Sequence, residues 1–187
     1  MKQINPSDSV SLLQQGGVIA YPTEAVYGLG CDPDNAAAVE KILAIKQRPW
    51  QKGLILVAAN TEQLHDFVDF SQLSQQQLAF VTSHWPGPFT FIMPTLPSTS
   101  TLLRGEFNSI AVRISAHRVV QELCLALGKP LVSTSANLAG EPPVVLATDI
   151  VEQFNGKVDA LIVGELGGSE QPSTIMDAIT GRVLRQG

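Results

Sequence analysis

Ser109-Ile110-Ala111-Val112-Arg113-Ile114, then residues 119–127 closed by Gly128, then Pro130-Leu131-Val132: this stretch decides the fold. Side chains alternate across a strand, so Ile110, Val112 and Ile114 point one way and Ala111 and Arg113 the other. Residues 119–127 read as a helix stopped by Gly128, and Leu131-Val132 reads as a second short strand. Strand, helix and strand in close succession predict a layered α/β architecture.

The same alternation extends outward. Ser7 and Asp8 are candidate caps of a short helix that stops at Gly16-Gly17, and residues 18–21 follow as a buried strand. Asn35 is placed to cap a helix carrying Ala38, Ile42 and Ile45 on one face. Residues 54–58 suit a central strand, with helices starting at Thr61 and Ser74. Residues 89–93 form a strand bounded by Pro88 and Pro94. Residues 149–154 read as a helix and 160–163 as extended. Residues 174–179 and 182–184 form a hairpin turning at Thr180-Gly181. The expectation is one α/β domain over residues 1–187, with a mixed sheet and flanking helices.

Composition excludes several function classes. The 187 residues are 44% hydrophobic and 16% charged, with net charge -5, so no basic excess signals nucleic-acid binding. A local basic pocket is compatible with that total. Two cysteines, Cys31 and Cys124, and three histidines, His65, His84 and His117, show no metal or redox spacing. The opening Met1-Lys2-Gln3 is polar and no run approaches a membrane span, which predicts a cytoplasmic protein.

Four constellations could carry chemistry. Lys41, Lys46, Arg48 and Lys52 lie close together, and Pro49 should end their helix near Gln47 or Arg48. Arg48 can then swing beside Lys46, giving either a phosphate clamp or a solvated helix end complementing the dipole. Ser133-Thr134-Ser135-Ala136-Asn137 follows a strand and supplies either a ligand site or a polar turn. Tyr21 to Gly30 also follows a strand, with Thr23 and Glu24 polar, Tyr27 flat, and Gly28 and Gly30 permissive. Arg113 needs a partner on its sheet face, either a bound carboxylate or an ordinary salt bridge. Pro33 replaces the third glycine of a dinucleotide fingerprint, and no Walker loop or nucleophile elbow is present.

Together these segments resemble the YrdC family of threonylcarbamoyl-AMP synthases, in its short bacterial form, from about Ser7 to Gly187. The resemblance is carried by Pro22-Thr23-Glu24, Tyr27-Gly28-Leu29-Gly30, Lys46-x-Arg48-Pro49, Trp85-Pro86-Gly87-Pro88 and Val112-Arg113. It continues in Ser133-Thr134-Ser135-Ala136-Asn137, Pro172-Ser173-Thr174-Ile175 and Leu184-Arg185-Gln186-Gly187. It implies a twisted mixed sheet around a concave, positively lined cavity. It also implies a reaction of L-threonine, bicarbonate (or CO2) and ATP that yields threonylcarbamoyl-AMP and pyrophosphate. Other proteins of the tRNA threonylcarbamoylation machinery would then modify the adenosine beside the anticodon.

By the same resemblance, Lys46, Arg48, Ser135, Asn137, Ser173 and Arg185 would bind ATP, and Thr23, Arg113 and Ser133 would meet threonine. No residue serves as nucleophile and none is a metal ligand. Mg²⁺ is expected with ATP, and no tightly bound cofactor. Contact with tRNA or double-stranded RNA is an open expectation, and no membrane contact is expected. Two departures stand out. Many relatives carry a histidine in the strand after Lys-x-Arg, whereas Gly53-Leu54-Ile55-Leu56-Val57 has none. Leu138-Ala139-Gly140-Glu141-Pro142-Pro143 lacks a serine and an arginine found in relatives. A non-catalytic RNA-binding module is the main alternative, disfavoured by the acidic total and the lack of an aromatic stripe. A carbamoyl-transfer domain acting on another acceptor is the third reading.

Overall fold

The structure is a computed structural model describing residues 1–138 and 140–187. In chain order its main elements are β1 (Lys2–Ile4), α1 (Val10–Gln14), β2 (Ile19–Pro22), β3 (Tyr27–Cys31), α2 (Ala36–Ile45) and β4 (Ile55–Ala58). They continue with α3 (Gln75–Ser83), β5 (Phe89–Pro94), α4 (Thr101–Arg104), β6 (Ser109–Ile114) and α5 (Arg118–Leu127). The remainder is β7 (Leu131–Ser135), α6 (Ala147–Phe154), β8 (Ala160–Ile162), β9 (Thr174–Asp177) and β10 (Val183–Arg185). Among the described residues ten strands form one sheet in the order β1-β8-β2-β3-β7-β4-β6-β5-β9-β10. It is mixed: β1 and β2 run parallel to β8, β4 to β6 and β5 to β9, and the other pairs are antiparallel.

The two faces of this sheet are covered differently, and that difference makes the site. On one face Leu56, Ala58, Phe91, Met93, Val112 and Val132 pack with Ala38, Val39, Ile42 and Leu43 of α2 and with Ile150 and Phe154 of α6. On the other, Ile19, Tyr21, Val57 and Leu131 pack with Leu13 of α1 and with Val120, Leu123, Cys124 and Leu127 of α5. Buried positions of α5 recur at a helical spacing, while Arg118 and Glu122 pair on its outer side. Farther along that second face, Ser133, Ile55, Ala111 and Ile92 stand opposite one another across β7, β4, β6 and β5. These four residues line a cavity.

Local signals account for most elements. Asn35 caps α2 by accepting from the Ala38 amide, and Ser74 and Gln77 form a reciprocal capping box on α3. Other expectations are corrected. Ser7 and Asp8 make no helix cap, because a 3-10 turn, Pro6–Ser9, leads directly into α1. The helix expected at Thr61 is a single 3-10 turn, Glu62–Leu64. Tyr27 to Gly30 is strand rather than loop, pairing with β2 on one side and β7 on the other. Residues 133–135 likewise belong to β7 and are not a turn.

The end of α2 shows how Arg48 reaches the site. Lys46 caps the helix, and Gln47 adopts φ 47, the one positive-φ residue other than glycine among the described residues. The Gln47 amide donates to Ala44 O and the Arg48 amide to Leu43 O, the paired bonds of a Schellman turn. Glycine usually holds this position, because a Cβ is strained in left-handed backbone. Gln47→Gly should therefore raise the unfolding free energy by up to about 1 kcal/mol, after allowing for glycine's looser unfolded chain. Gln47→Val should lower it. Urea unfolding of the three proteins measures both.

Candidate active site

A cavity of about 470 Å³ opens on the uncovered half of the sheet. Among the described residues its charged lining is Arg48, Lys52, Arg113 and Arg185, against the one carboxylate of Glu24. A chain of net charge -5 thus gathers a third of its 12 basic residues at one concavity. Cations so concentrated repel one another unless an anion joins them.

Arg113 is positioned by β6, whose alternation sends Val112 into the core and Arg113 to the cavity. Its Nη1 donates to Glu24 Oε2 at 3.0 Å, with side chains 9% and 14% exposed. The second Glu24 oxygen accepts from Ser115 Oγ at 2.6 Å. Burial alone would raise the Glu24 carboxyl; the Arg113 guanidinium and the Ser115 hydroxyl outweigh it and hold the group below its ordinary value. Arg113 therefore has a protein partner, and only Nη1 is engaged by it. The adjoining Thr23 is fixed within its own turn, its Oγ1 donating to Val26 O at 2.7 Å.

Lys46 and Arg48 divide their work. Lys46 Nζ donates to Ser135 O at 2.8 Å, to Asn137 O at 2.7 Å and to Asn137 Oδ1. Ser135 Oγ donates to the same Asn137 oxygen at 2.7 Å. All three ammonium hydrogens are engaged, so Lys46 ties the end of β7 to the end of α2. Burial, and then the charge of Arg48, pushes Lys46 down to about 8. Arg48 Nε donates to Gly53 O at 2.9 Å and Nη2 to Lys52 O at 3.3 Å, and its side chain reaches the cavity wall.

The opposite wall comes from β9 and β10. Ser173 and Thr90 hydroxyls lie 2.8 Å apart, and Arg185 Nη2 donates to Ser173 O at 2.7 Å. Burial, and then the Arg113 charge, lowers Arg185 from its ordinary value. Thr23, Arg48, Arg113, Ser133, Ser135, Ser173 and Arg185 thus line one cavity, while Lys46 and Asn137 stand behind its wall. The strand lacking the family histidine presents Ile55 and Val57 to the cavity instead. Of the second departure, Ala139 lies outside the described residues.

Sequence reasoning missed the roles of Glu24, Ser115, Lys52 and Thr90. Thr90 had a signal, a lone polar residue inside the apolar Phe89–Pro94 strand. For the Glu24–Arg113 pair the sequence offered a salt bridge as one of two readings of Arg113 but gave no sign of its partner, because the pair joins residues far apart in the chain. Among the described residues no group of three or more His, Cys, Asp or Glu side chains could hold a metal ion. Among them, too, no helix is long and apolar enough to cross a membrane.

The Arg113–Glu24 pair has a pH signature. A carboxyl held below its unfolded value of 4.5 stabilises the fold above that pH. The contribution is lost as pH falls through the lower folded value. Glu24→Gln should reduce the unfolding free energy by about 1–3 kcal/mol at neutral pH, since it unbalances a largely buried pair that still touches cavity water. The gap from wild type should narrow as pH falls below 4.5, as urea titrations from neutral pH downward would reveal.

Comparison with known proteins agrees with this geometry. The Sua5/YciO/YrdC family model, described as "Telomere recombination", matches residues 11–187. Escherichia coli YciO is similar at 27% identity and TM-score 0.85, over 100% of this chain and 93% of that one. Pyrococcus abyssi Sua5 complexed with L-threonine is similar at 28% identity and TM-score 0.84, over 94% of this chain and 53% of that one. A double variant of the same Sua5 gives 29% identity and TM-score 0.89, over 96% and 55%. The chain therefore spans about half the length of the Sua5 proteins it matches. With its sheet, its cation-lined cavity and a family match running almost end to end, the chain belongs to the Sua5/YciO/YrdC family.

Proposed function

We propose that this protein is a threonylcarbamoyl-AMP synthase: it converts L-threonine, bicarbonate or CO2, and MgATP into L-threonylcarbamoyladenylate and pyrophosphate. The reaction belongs in the cytoplasm, where other proteins of the tRNA threonylcarbamoylation machinery would pass the group to tRNA. The observation that carries this reading is the cavity itself, four cations facing one carboxylate. A triphosphate and an amino-acid carboxylate supply the missing negative charge. The similar Sua5 complexed with L-threonine supports the second of these ligands.

The chemistry needs no protein nucleophile. Threonine's neutral amine attacks CO2, forms the N–C bond as a C=O π bond becomes the carbamate oxyanion, and releases one proton to solvent. One carbamate oxygen then attacks the α-phosphorus, and the bond to the β-phosphate oxygen breaks as pyrophosphate departs. Arg48 and Lys52, steadied by the Lys46 tie, would hold the phosphates, with Ser135, Ser173 and Arg185 completing the nucleotide site and Asn137 supporting it from behind the wall through Lys46 and Ser135. Arg113 would turn its free guanidinium nitrogens to the threonine carboxylate. Catalysis is then orientation and charge stabilisation. Mg²⁺ arrives with the phosphates as part of the substrate, and no tightly bound cofactor is called for.

Incubation with ATP, L-threonine and bicarbonate should release pyrophosphate only when threonine is present, with the adenylate identified by mass spectrometry. RNA binding without turnover would favour a non-catalytic module instead. Turnover of carbamoyl phosphate without threonine would favour a carbamoyl-transfer domain.

Two substitutions probe the assignment. Lys46→Ala and Arg48→Ala should each lower turnover at least tenfold in folded protein, charge-assisted bonds being worth about 1.5–3 kcal/mol. Near-normal synthesis by both would remove the phosphate role. Arg113→Lys should raise KM for threonine more than KM for ATP, because lysine lacks the planar fork that suits a carboxylate. Equal losses for both substrates would count against it.

A further inference from the structure

We infer that His117 is a positioning residue of this site: its ring latches a strap, residues 163–173, where that strap crosses the mouth of the cavity. The inference rests on the reading of the cavity as the place where two substrates meet.

The strap joins β8 to β9, and six strands of the sheet stand between those two. Strand spacing makes the span along the sheet up to roughly 34 Å. A chain running from Ile162 to Thr174 reaches about 40 Å when fully extended. The strap therefore has little slack, and the points where it is pinned decide where it runs. It forms no helix or strand, and apart from Leu166 and Ser173 its residues are exposed. Its pins are few. Leu166 packs on the core, the Gly167 amide donates to Thr23 O at 3.0 Å, and the Ser169 amide donates to Glu24 O at 2.8 Å. The far end then lines the cavity with Gln171, Pro172 and Ser173. One segment thus touches both the turn between β2 and β3 and the wall made by β9.

His117 stands at the start of α5, is 9% exposed, and places its Nε2 3.0 Å from Glu165 O in the strap. A carbonyl only accepts, so Nε2 carries the hydrogen and donates. Among the described residues, His117 Nδ1 is the one buried side-chain nitrogen or oxygen without a hydrogen-bond partner. A ring present only to fill space would be less costly without that nitrogen. What the imidazole supplies is the Nε2 donor, and that donor serves the strap. Gly167 completes the latch. A Cβ there would stand 3.0 Å from Glu24 Cα and 3.2 Å from His117 Cδ2, so a side chain would press the strap away from ring and turn. The backbone of His117 acts on the same turn. Its amide donates to Ser115 Oγ at 3.1 Å, which leaves the Ser115 hydrogen for Glu24 Oε1. His117 therefore joins the strap to the Glu24 turn, and through the strap it sets where Ser173 stands against Thr90 and Arg185. Fixing two halves of a site relative to each other is a matter of orientation, and orientation acts on turnover.

Hydrogen–deuterium exchange of the full chain, with calorimetric titration and steady-state kinetics, tests the latch. His117→Phe keeps a ring and removes the donor. Exchange of the peptide covering 163–173 should speed up about fivefold, the worth of one lost hydrogen bond, while exchange of residues 119–127 and the urea midpoint stay as in wild type. The value of kcat should fall at least about threefold, with Kd for ATP and for threonine each within about twofold of wild type. His117→Gln, whose side-chain amide keeps a donor, should recover most of both losses. A ring with a purely structural role would leave strap exchange unaltered in His117→Phe and would gain nothing from glutamine. Should His117→Phe fold poorly, Gly167→Ala, which lifts the strap and keeps the ring, should give the same faster exchange and lower kcat. Unaltered strap exchange in the folded variants, glutamine no better than phenylalanine, or faster exchange at wild-type kcat would overturn the inference while leaving the proposed reaction standing. A wild type that turns nothing over would instead remove the reading beneath it, and the exchange measurement would still decide whether the latch exists.

Discussion

The ion pair between Arg113 and Glu24 is the constraint around which the cavity is organised. A guanidinium on a central strand of a packed sheet is untenable unless that face meets water or a partner. Both conditions hold here. Glu24 neutralises one nitrogen, and the helices α1 and α5 stop short, so the rest of the group opens on solvent-filled space. The pair also joins β6 to the turn between β2 and β3, and that turn holds Thr23. Moving Arg113 would therefore move the floor and the rim together.

A second organising contact is the Lys46 ammonium. Its three donors close the end of β7 onto the end of α2, so two segments remote in sequence behave as one edge of the site. Preorganisation of this kind lowers the cost of ordering side chains when a ligand arrives. It also separates support from lining: Arg48 and Lys52 line the cavity, while Lys46 holds the wall beside them.

Much of this was legible because it is local. The facing of Arg113 follows from alternation in Ser109–Ile114 and the cap at Asn35 from its side chain, while Pro49 placed the end of α2 near Gln47 or Arg48 and the turn at Gln47 ends it slightly earlier, at Ile45 with Lys46 as cap. The fold class and the family likewise emerged from motifs in order. What escaped depends on distance in the chain. Glycines made β3 look like a loop, because the reason for them is the Tyr21 ring lying across from another strand. Strand order was unreadable, since the pairing of Cys31 with Val132 leaves no periodicity in either segment. Glu24 looked like a free polar group for the same reason: its partner is on β6.

The position of β7 has a consequence for how the chain acquires its site. It lies between β3 and β4, two strands made long before it, and it delivers Ser133 and Ser135 as it enters. Such non-local pairings form late and slowly, because large loops must close first. Chains lacking β7 have neither a continuous sheet nor a complete cavity, so ligands discriminate sharply between finished and unfinished molecules. A molecule that binds only the completed cavity would then draw the folding equilibrium towards the native state by mass action, and its concentration would help determine how much folded protein persists.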